Sequence, residues 1–115
     1  MQSDTYKICV MIPTGFVNAV KDAMFAAGAG HYDNYDQCCW ETAGTGQFRA
    51  LAGSQPFSGS QGVVHQEETW KVELICHQKY LEQVIEALRH AHPYEVPAFD
   101  ITPVFLTYPS APQVD

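Results

Sequence analysis

From Tyr6 to Ile12 apolar and β-branched residues alternate, with Tyr6, Ile8, Val10 and Ile12 set between Lys7, Cys9 and Met11, the two-residue period of a half-buried strand. Pro13-Thr14-Gly15 breaks this run, and Thr14 is placed to cap a helix beyond it. Between Phe16 and Ala27 the period changes. Val17, Val20, Met24 and Ala27 recur at three- and four-residue intervals, the stripe of an amphipathic helix, and Gly28 comes next as its C-terminal stop. After a loop over Gly28 to Asp36, a second strand is expected around Gln37 to Thr42. Gly44-Thr45-Gly46 would turn it into a short partner around Gln47 to Leu51, forming a hairpin.

Ala52 to Gly62 is rich in Gly, Ser and Pro and reads as a loop. Val64 to Cys76 reads as another strand, with Trp70, Val72, Leu74 and Cys76 on one face and Lys71 and Glu73 on the other. Leu81, Val84, Ile85 and Leu88 give a second helix over Lys79 to His90, which Pro93 stops. The last strand spans about Tyr94 to Leu106, where Pro97 and Pro103 restrict it to an edge. Strand, helix, strand, strand, helix, strand is the α+β, ferredoxin-like βαββαβ order, an antiparallel sheet with both helices on one face and an extra hairpin and loop after the second strand. An uncovered apolar sheet face is normally buried against another subunit, so the pattern predicts a homo-oligomer. One domain over residues 1–107 is expected, with 108–115 as a flexible tail.

Composition narrows the partners. The chain has 115 residues, 46% hydrophobic and 17% charged, as in an ordinary globular domain. Six Lys and Arg against 13 Asp and Glu leave a net charge of -7, which repels phosphate backbones and anionic lipid, so neither nucleic acid nor membrane is an expected partner. The polar N-terminus lacks a signal-peptide apolar region, and a cytoplasmic location with reduced thiols is expected for Cys9, Cys38, Cys39 and Cys76.

Two chemistries compete for the polar residues. His31, Cys38, Cys39 and His65 are imidazole and thiolate donors suited to Zn or Cu, although no spacing among them is a metal motif. The alternative is a loop histidine with unrelated buried thiols, Cys9 and Cys76 being core residues in either case. His90 and His92 flank the end of the second helix, where an imidazolium would meet the negative end of the dipole. Glu95 and Asp100 are placed to pair with Lys71 or Arg49 across the sheet. Nucleophile elbows, HExxH and phosphate-cradling loops are missing from the sequence.

An ordered series of short motifs adds a resemblance: Gly28-Ala29-Gly30, Asn34-Tyr35-Asp36, Cys38, Trp40, Gly44-Thr45-Gly46, Phe48-Arg49, Pro56-Phe57, and His92-Pro93-Tyr94-Glu95 with Pro97 and Asp100. Together these resemble the CutA-like and PII-like insert domain of YqfO proteins, bacterial relatives in the Nif-three-like family, over about Tyr6 to Pro103. Ala52, Val96 and Cys39 depart from the pattern, removing two carboxylates and adding a thiol. The resemblance implies assembly as a trimer or its multiple. It also implies that the dinuclear-metal domain behind the family label of GTP cyclohydrolase type 2 homologue is not represented in these residues. By analogy with clefts between PII-like subunits, it directs attention to a ligand site at Asn34, Tyr35, Asp36, Gly44, Thr45 and Gly46, with Tyr35, Trp40 and Tyr94 as aromatic walls for a planar guest. The resulting expectation is a small binding or regulatory module without its own catalysis, sensing a metal ion or small ligand or docking to a protein partner. The alternatives are a metal-handling protein for Zn or Cu tolerance and an accessory to a YqfO-type metal-dependent hydrolase.

Overall fold

The computed structural model describes residues 3–106. The tail expected over 108–115 lies outside them. Strand β1 (Thr5–Pro13) is followed by helix α1 (Val17–Ala26), strands β2 (Trp40–Arg49) and β3 (Val64–His77), a 3-10 turn at Gln78–Tyr80, helix α2 (Leu81–Ala91) and strand β4 (Phe99–Pro103). All four strands are antiparallel in the order β2-β3-β1-β4. This is the ferredoxin-like α+β arrangement. Among the described residues no helix is long and apolar enough to cross a membrane.

The alternation seen in the sequence becomes the core. Ile8 stands opposite Leu74, Val10 opposite Val72 and Ile12 opposite Trp70, all on the face that meets Val20 and Met24 of α1 and Val84 and Leu88 of α2. Ile8, Val10, Ile12, Val20, Met24, Val72, Val84 and Leu88 have no solvent exposure. Gly28 comes after the C-cap of α1 with φ +119°, and a Cβ there would meet the Tyr80 ring at 2.7 Å. Left-handed backbone and close packing both select glycine at this point.

Three local expectations are corrected. Gly44-Thr45-Gly46 makes no turn; it lies inside the continuous ten-residue β2, and the connection to β3 is the loop after Arg49. Glycine serves close approach here, because a Cβ on Gly46 would stand 2.5 Å from Thr69 Oγ1 on the neighbouring strand. Thr14 does not cap α1: Phe16 is the N-cap and has no side-chain cap bond. The Thr14 hydroxyl instead donates to Glu68 Oε1 at 2.7 Å and accepts from Trp70 Nε1 at 3.1 Å, tying the start of α1 to β3. The last strand is also shorter than its apolar run suggests, Tyr94 to Ala98 being irregular and β4 spanning five residues at the sheet edge.

The open face of the sheet is not uniformly apolar. By register it carries Lys7, Cys9 and Met11 on β1, Lys71, Glu73 and Ile75 on β3, and Asp100 and Thr102 on β4. Lys7 Nζ stands 3.3 Å from Glu73 Oε1, so the centre of this face is charged.

Candidate functional site

β2 and β3 run past the end of β1, where Pro13 pairs with Thr69, so residues 44–49 and 64–69 form an arm beyond the helix-covered core. The loop after β2 folds back beside this arm. The segment between α2 and β4 closes the other side. Together they frame an open cleft of about 760 Å³, within the range that holds small organic ligands.

The cavity wall is built on the sequence motif His92-Pro93-Tyr94-Glu95. Pro93 stops α2. His92 is 5% exposed, and its Nε2 lies 2.7 Å from the Met11 carbonyl while its Nδ1 accepts from the Tyr94 backbone N–H at 3.1 Å. These bonds require a proton on Nε2 and none on Nδ1, so the ring is neutral. This corrects the expectation of an imidazolium at the helix end. Burial pushes its pKa down, opposed by the bond to Met11. The imidazole thus latches the end of α2 to β1 and turns Tyr94 into the cavity.

The next residue fastens the opposite wall. Glu95 Oε2 accepts from the Gln55 backbone N–H at 3.0 Å, holding the loop that carries Pro56 and Phe57 over the cavity. Glu95 therefore does not pair with Lys71 or Arg49 as its position in the sequence suggests, and Lys71 approaches Glu73 at 4.0 Å. Asp100 lies beside Cys9 instead. An aromatic series lines the site: the rings of Phe48 and Tyr94 are 5.9 Å apart, those of Phe57 and Tyr94 6.4 Å, and Phe57 meets Phe16 edge-on at 5.4 Å. Met11 and Ala98 also line it, as do Lys71 and Arg49, which by the register of β2 and β3 stand on opposite faces of the arm.

Only part of the sequence-derived ligand set meets this cavity. Gly44, Thr45 and Gly46 line it, whereas Asn34, Tyr35 and Asp36 sit in the loop after α1, which docks through Gly30 N–H on the Ile75 carbonyl at the other end of β3. Of the three aromatic candidates Tyr94 faces the site; Tyr35 and Trp40 are exposed elsewhere, and Trp40 Nε1 donates to Thr42 Oγ1 at 2.8 Å. Sequence reasoning misses Phe48, Phe57, Arg49 and Lys71 as cavity residues, although Phe48-Arg49, Pro56-Phe57 and the Pro-Tyr-Glu segment are visible as motifs.

The metal set is not assembled. Among the described residues no three His, Cys, Asp or Glu side chains gather as a metal-ligating group. His31 follows Gly30 near Ile75, while His65 stacks on Phe48 at 5.2 Å with Nε2 3.4 Å from Glu67 Oε2. The two imidazoles are thus separated by some ten residues of β3, about 33 Å in an extended strand. Cys39 packs against the core and Cys38 Sγ lies 3.7 Å from the Asp36 carbonyl. Cys76 is buried as expected, whereas Cys9 lies on the open face and is only half-buried. Burial raises the pKa of both, with Asp100 also contributing at Cys9.

The neutral latch has a consequence for pH. Because His92 has a lowered pKa when folded, the unfolded chain takes up its proton first as pH falls below the ordinary value of 6.5. The stability contributed by the neutral ring is therefore present above that pH and is lost as the pH falls toward the depressed folded value. The melting temperature is expected to decline from pH 7.5 to 5.5, and His92→Gln, uncharged throughout, should flatten that slope. Equal slopes for the two proteins would show that another group governs the acid response.

Comparison with known proteins places these features in a family context. No protein-family model matches the chain. It is 43% identical over 99 residues to the GTP cyclohydrolase 1 type 2 homolog of Mycobacterium tuberculosis, a match covering 86% of this chain and 26% of that protein. A Bacillus cereus protein related to NIF3 superposes with a TM-score of 0.77 at 32% identity, over 90% of this chain and 26% of that one. The chain thus spans about a quarter of the length of these relatives. CutA1 from Shewanella sp. SIB1 shares the fold, with a TM-score of 0.67 at 15% identity over 94% of this chain and 88% of its own.

Proposed function

We propose that the chain, which is similar to about a quarter of the length of NIF3-related proteins and has the fold of CutA1, is an oligomeric binding module that takes a small molecule in the aromatic cleft and has no catalytic chemistry of its own. The open aromatic cleft carries this reading. It combines a mostly apolar wall with a few fixed polar groups, the composition of ligand sites rather than of packing defects. Two of the four thiols fit the non-catalytic part: a reactive cysteine needs a lowered pKa, and burial pushes Cys9 and Cys76 the opposite way.

Assembly is supported by β2, whose outer edge is left unpaired over ten residues at the side of the sheet. Trp40, 68% exposed, begins that edge and is a large ring for a second copy to cover. Because the matched relatives are about four times longer, the module would act in them as a regulatory part of a larger body, and by assembly with such a protein where the two are separate chains.

Gly44 supplies the test. It lines the cavity in ordinary strand conformation, and a Cβ there would meet only the Thr69 carbonyl, at 3.9 Å. Gly44→Leu should fold and fill the site. Native mass spectra with a panel of soluble metabolites are expected to show a wild-type homo-oligomer that retains one compound per chain, and a Gly44→Leu oligomer that retains none. A monomer would overturn the assembly reading; a compound held equally by both proteins would place binding outside the cavity; an adduct removed only by chelator would favour metal sensing instead.

A further inference from the structure

Resting on the cleft as a binding site, we infer that it is proton-gated: it holds its occupant while His92 is neutral and releases it when Nδ1 of that ring takes up a proton. The wall segment from His92 to Ala98 is tied at both ends to one residue, the Met11 carbonyl meeting His92 Nε2 at 2.7 Å and the Met11 N–H donating to the Ala98 carbonyl at 3.0 Å. Between these ties the segment is irregular, and Tyr94, Glu95 and Val96 all line the cleft. What fixes its first turn is Nδ1, which accepts the Tyr94 N–H at 3.1 Å. The next residue hands the constraint on, Glu95 Oε2 accepting from the Gln55 N–H at 3.0 Å and so holding the loop of Pro56 and Phe57. Both walls thus depend on one lone pair of one buried ring.

A proton on Nδ1 turns that acceptor into a donor facing a second donor, and it places a charge on a buried ring. The Nε2–H bond to Met11 survives protonation. The end of α2 therefore stays docked while the Tyr94 peptide must turn away and carry Glu95 with it. The charged groups around the ring offer it no counter-ion. On α2, Arg89 lies over the Phe99 ring at 5.4 Å and His90 is exposed. Lys71 of β3, opposite Met11, stands 4.0 Å from Glu73, and Asp100 of β4 lies beside Cys9 of β1. Glu95 is turned to Gln55, and on the arm His65, stacked on Phe48, faces Glu67 at 3.4 Å. The Tyr94 ring, 4.9 Å from the imidazole, is a phenol and uncharged in acid. Burial and the Met11 carbonyl, and no charged side chain among the described residues, set the titration of the ring, and burial holds its pKa below the ordinary value. An occupant that needs Tyr94 in place competes with the proton that displaces it. By linkage, binding weakens the proton affinity of His92 by the same factor as protonation weakens binding.

The probe is N-phenyl-1-naphthylamine, an apolar dye that carries no charge across the range used. It is titrated by fluorescence on the full chain from pH 7.5 to 4.5, with circular dichroism at each point to identify the range in which the chain is folded. The dye is expected to bind at one per chain at pH 7.5 and to be removed by Gly44→Leu. Its dissociation constant should rise in acid toward a limiting slope of about tenfold per pH unit, that of one proton. In His92→Asn, whose Oδ1 can accept the Tyr94 N–H but cannot take a proton, that slope should vanish. Nuclear magnetic resonance of the wild type gives a second reading: the His92 ring should titrate where the affinity falls, and saturating dye should move that titration to lower pH. The gate would be overturned, with the cleft reading left standing, by an affinity that is constant over the folded range, or by a slope that persists in His92→Asn or is lost in His65→Gln. A His92 ring that does not titrate while the chain is folded, or whose titration ignores the dye, would overturn it as well. Failure of the dye to bind at pH 7.5, or binding undiminished by Gly44→Leu, would overturn the cleft reading itself.

Discussion

Replacing His92 by alanine is expected to lower the unfolding free energy by about 2–4 kcal/mol and to abolish binding in the cavity. The ring is 5% exposed and makes two hydrogen bonds to backbone, one to the Met11 carbonyl and one from the Tyr94 N–H. Alanine removes both partners at once and leaves polar backbone groups without replacements, a penalty of about 1–3 kcal/mol for each group that water cannot reach. It also leaves a hole where the imidazole packed. Tyr94 would then lose the contact that orients it, and the Phe48 and Phe57 rings that pack on it would lose their common neighbour. Chemical denaturation measures the first effect and titration of a cavity ligand the second. An alanine variant as stable as the wild type would mean that the latch is not a structural element, and retained affinity would mean that the wall does not depend on it.

The second large effect is expected at Leu88. Leu88→Ala should cost about 2–5 kcal/mol, as for other fully buried leucines, with a melting temperature lower by on the order of 10 °C or more. Leu88 has no exposure, belongs to the core shared with Ile8, Val10 and Leu74, and its carbonyl accepts the His92 N–H at 2.9 Å. A cavity at this point therefore loosens the base of the latch as well as the core. Comparing Leu88→Ala with Ile85→Ala, on the same helix and only half-buried, separates burial from mere apolarity. Similar losses at both positions would show that burial at Leu88 is not what sets its contribution.

These two residues also mark how legible the chain is. Leu88 belongs to a periodic stripe, and period alone puts it on the buried side of a helix, just as alternation puts Ile8, Val10 and Ile12 in the core. His92 is visible as a motif residue, but the helix dipole suggests a charged ring, and the structure gives it the opposite state because the Met11 carbonyl and Tyr94 N–H meet it from two sides. Gly44-Thr45-Gly46 illustrates a different failure. A Gly-x-Gly between two apolar stretches has the composition of a turn, and what keeps it extended is the pairing of all of β2 with β3 and the space taken by Thr69. The candidate metal set is dispersed within the chain for a similar reason. Residue types suited to a metal say nothing about distance, and the lengths of β2 and β3 carry His31 and His65 to opposite ends of the sheet.

The helices, the buried faces and the ferredoxin-like class are readable along the chain, apart from the turn placed inside β2, because periods of two and about 3.6 residues are local properties that burial on one side imposes on strands and helices. The family motifs were readable too, and they identify a domain without showing what the motif residues touch. The place of the site came from long-range packing alone. Phe48, Phe57, Tyr94 and Lys71 come from the strand arm, the loop beside it and the segment after α2. Their convergence depends on β2 and β3 running past the end of β1 and on a neutral imidazole holding α2 to that end, contacts between residues far apart in the chain that no local period encodes.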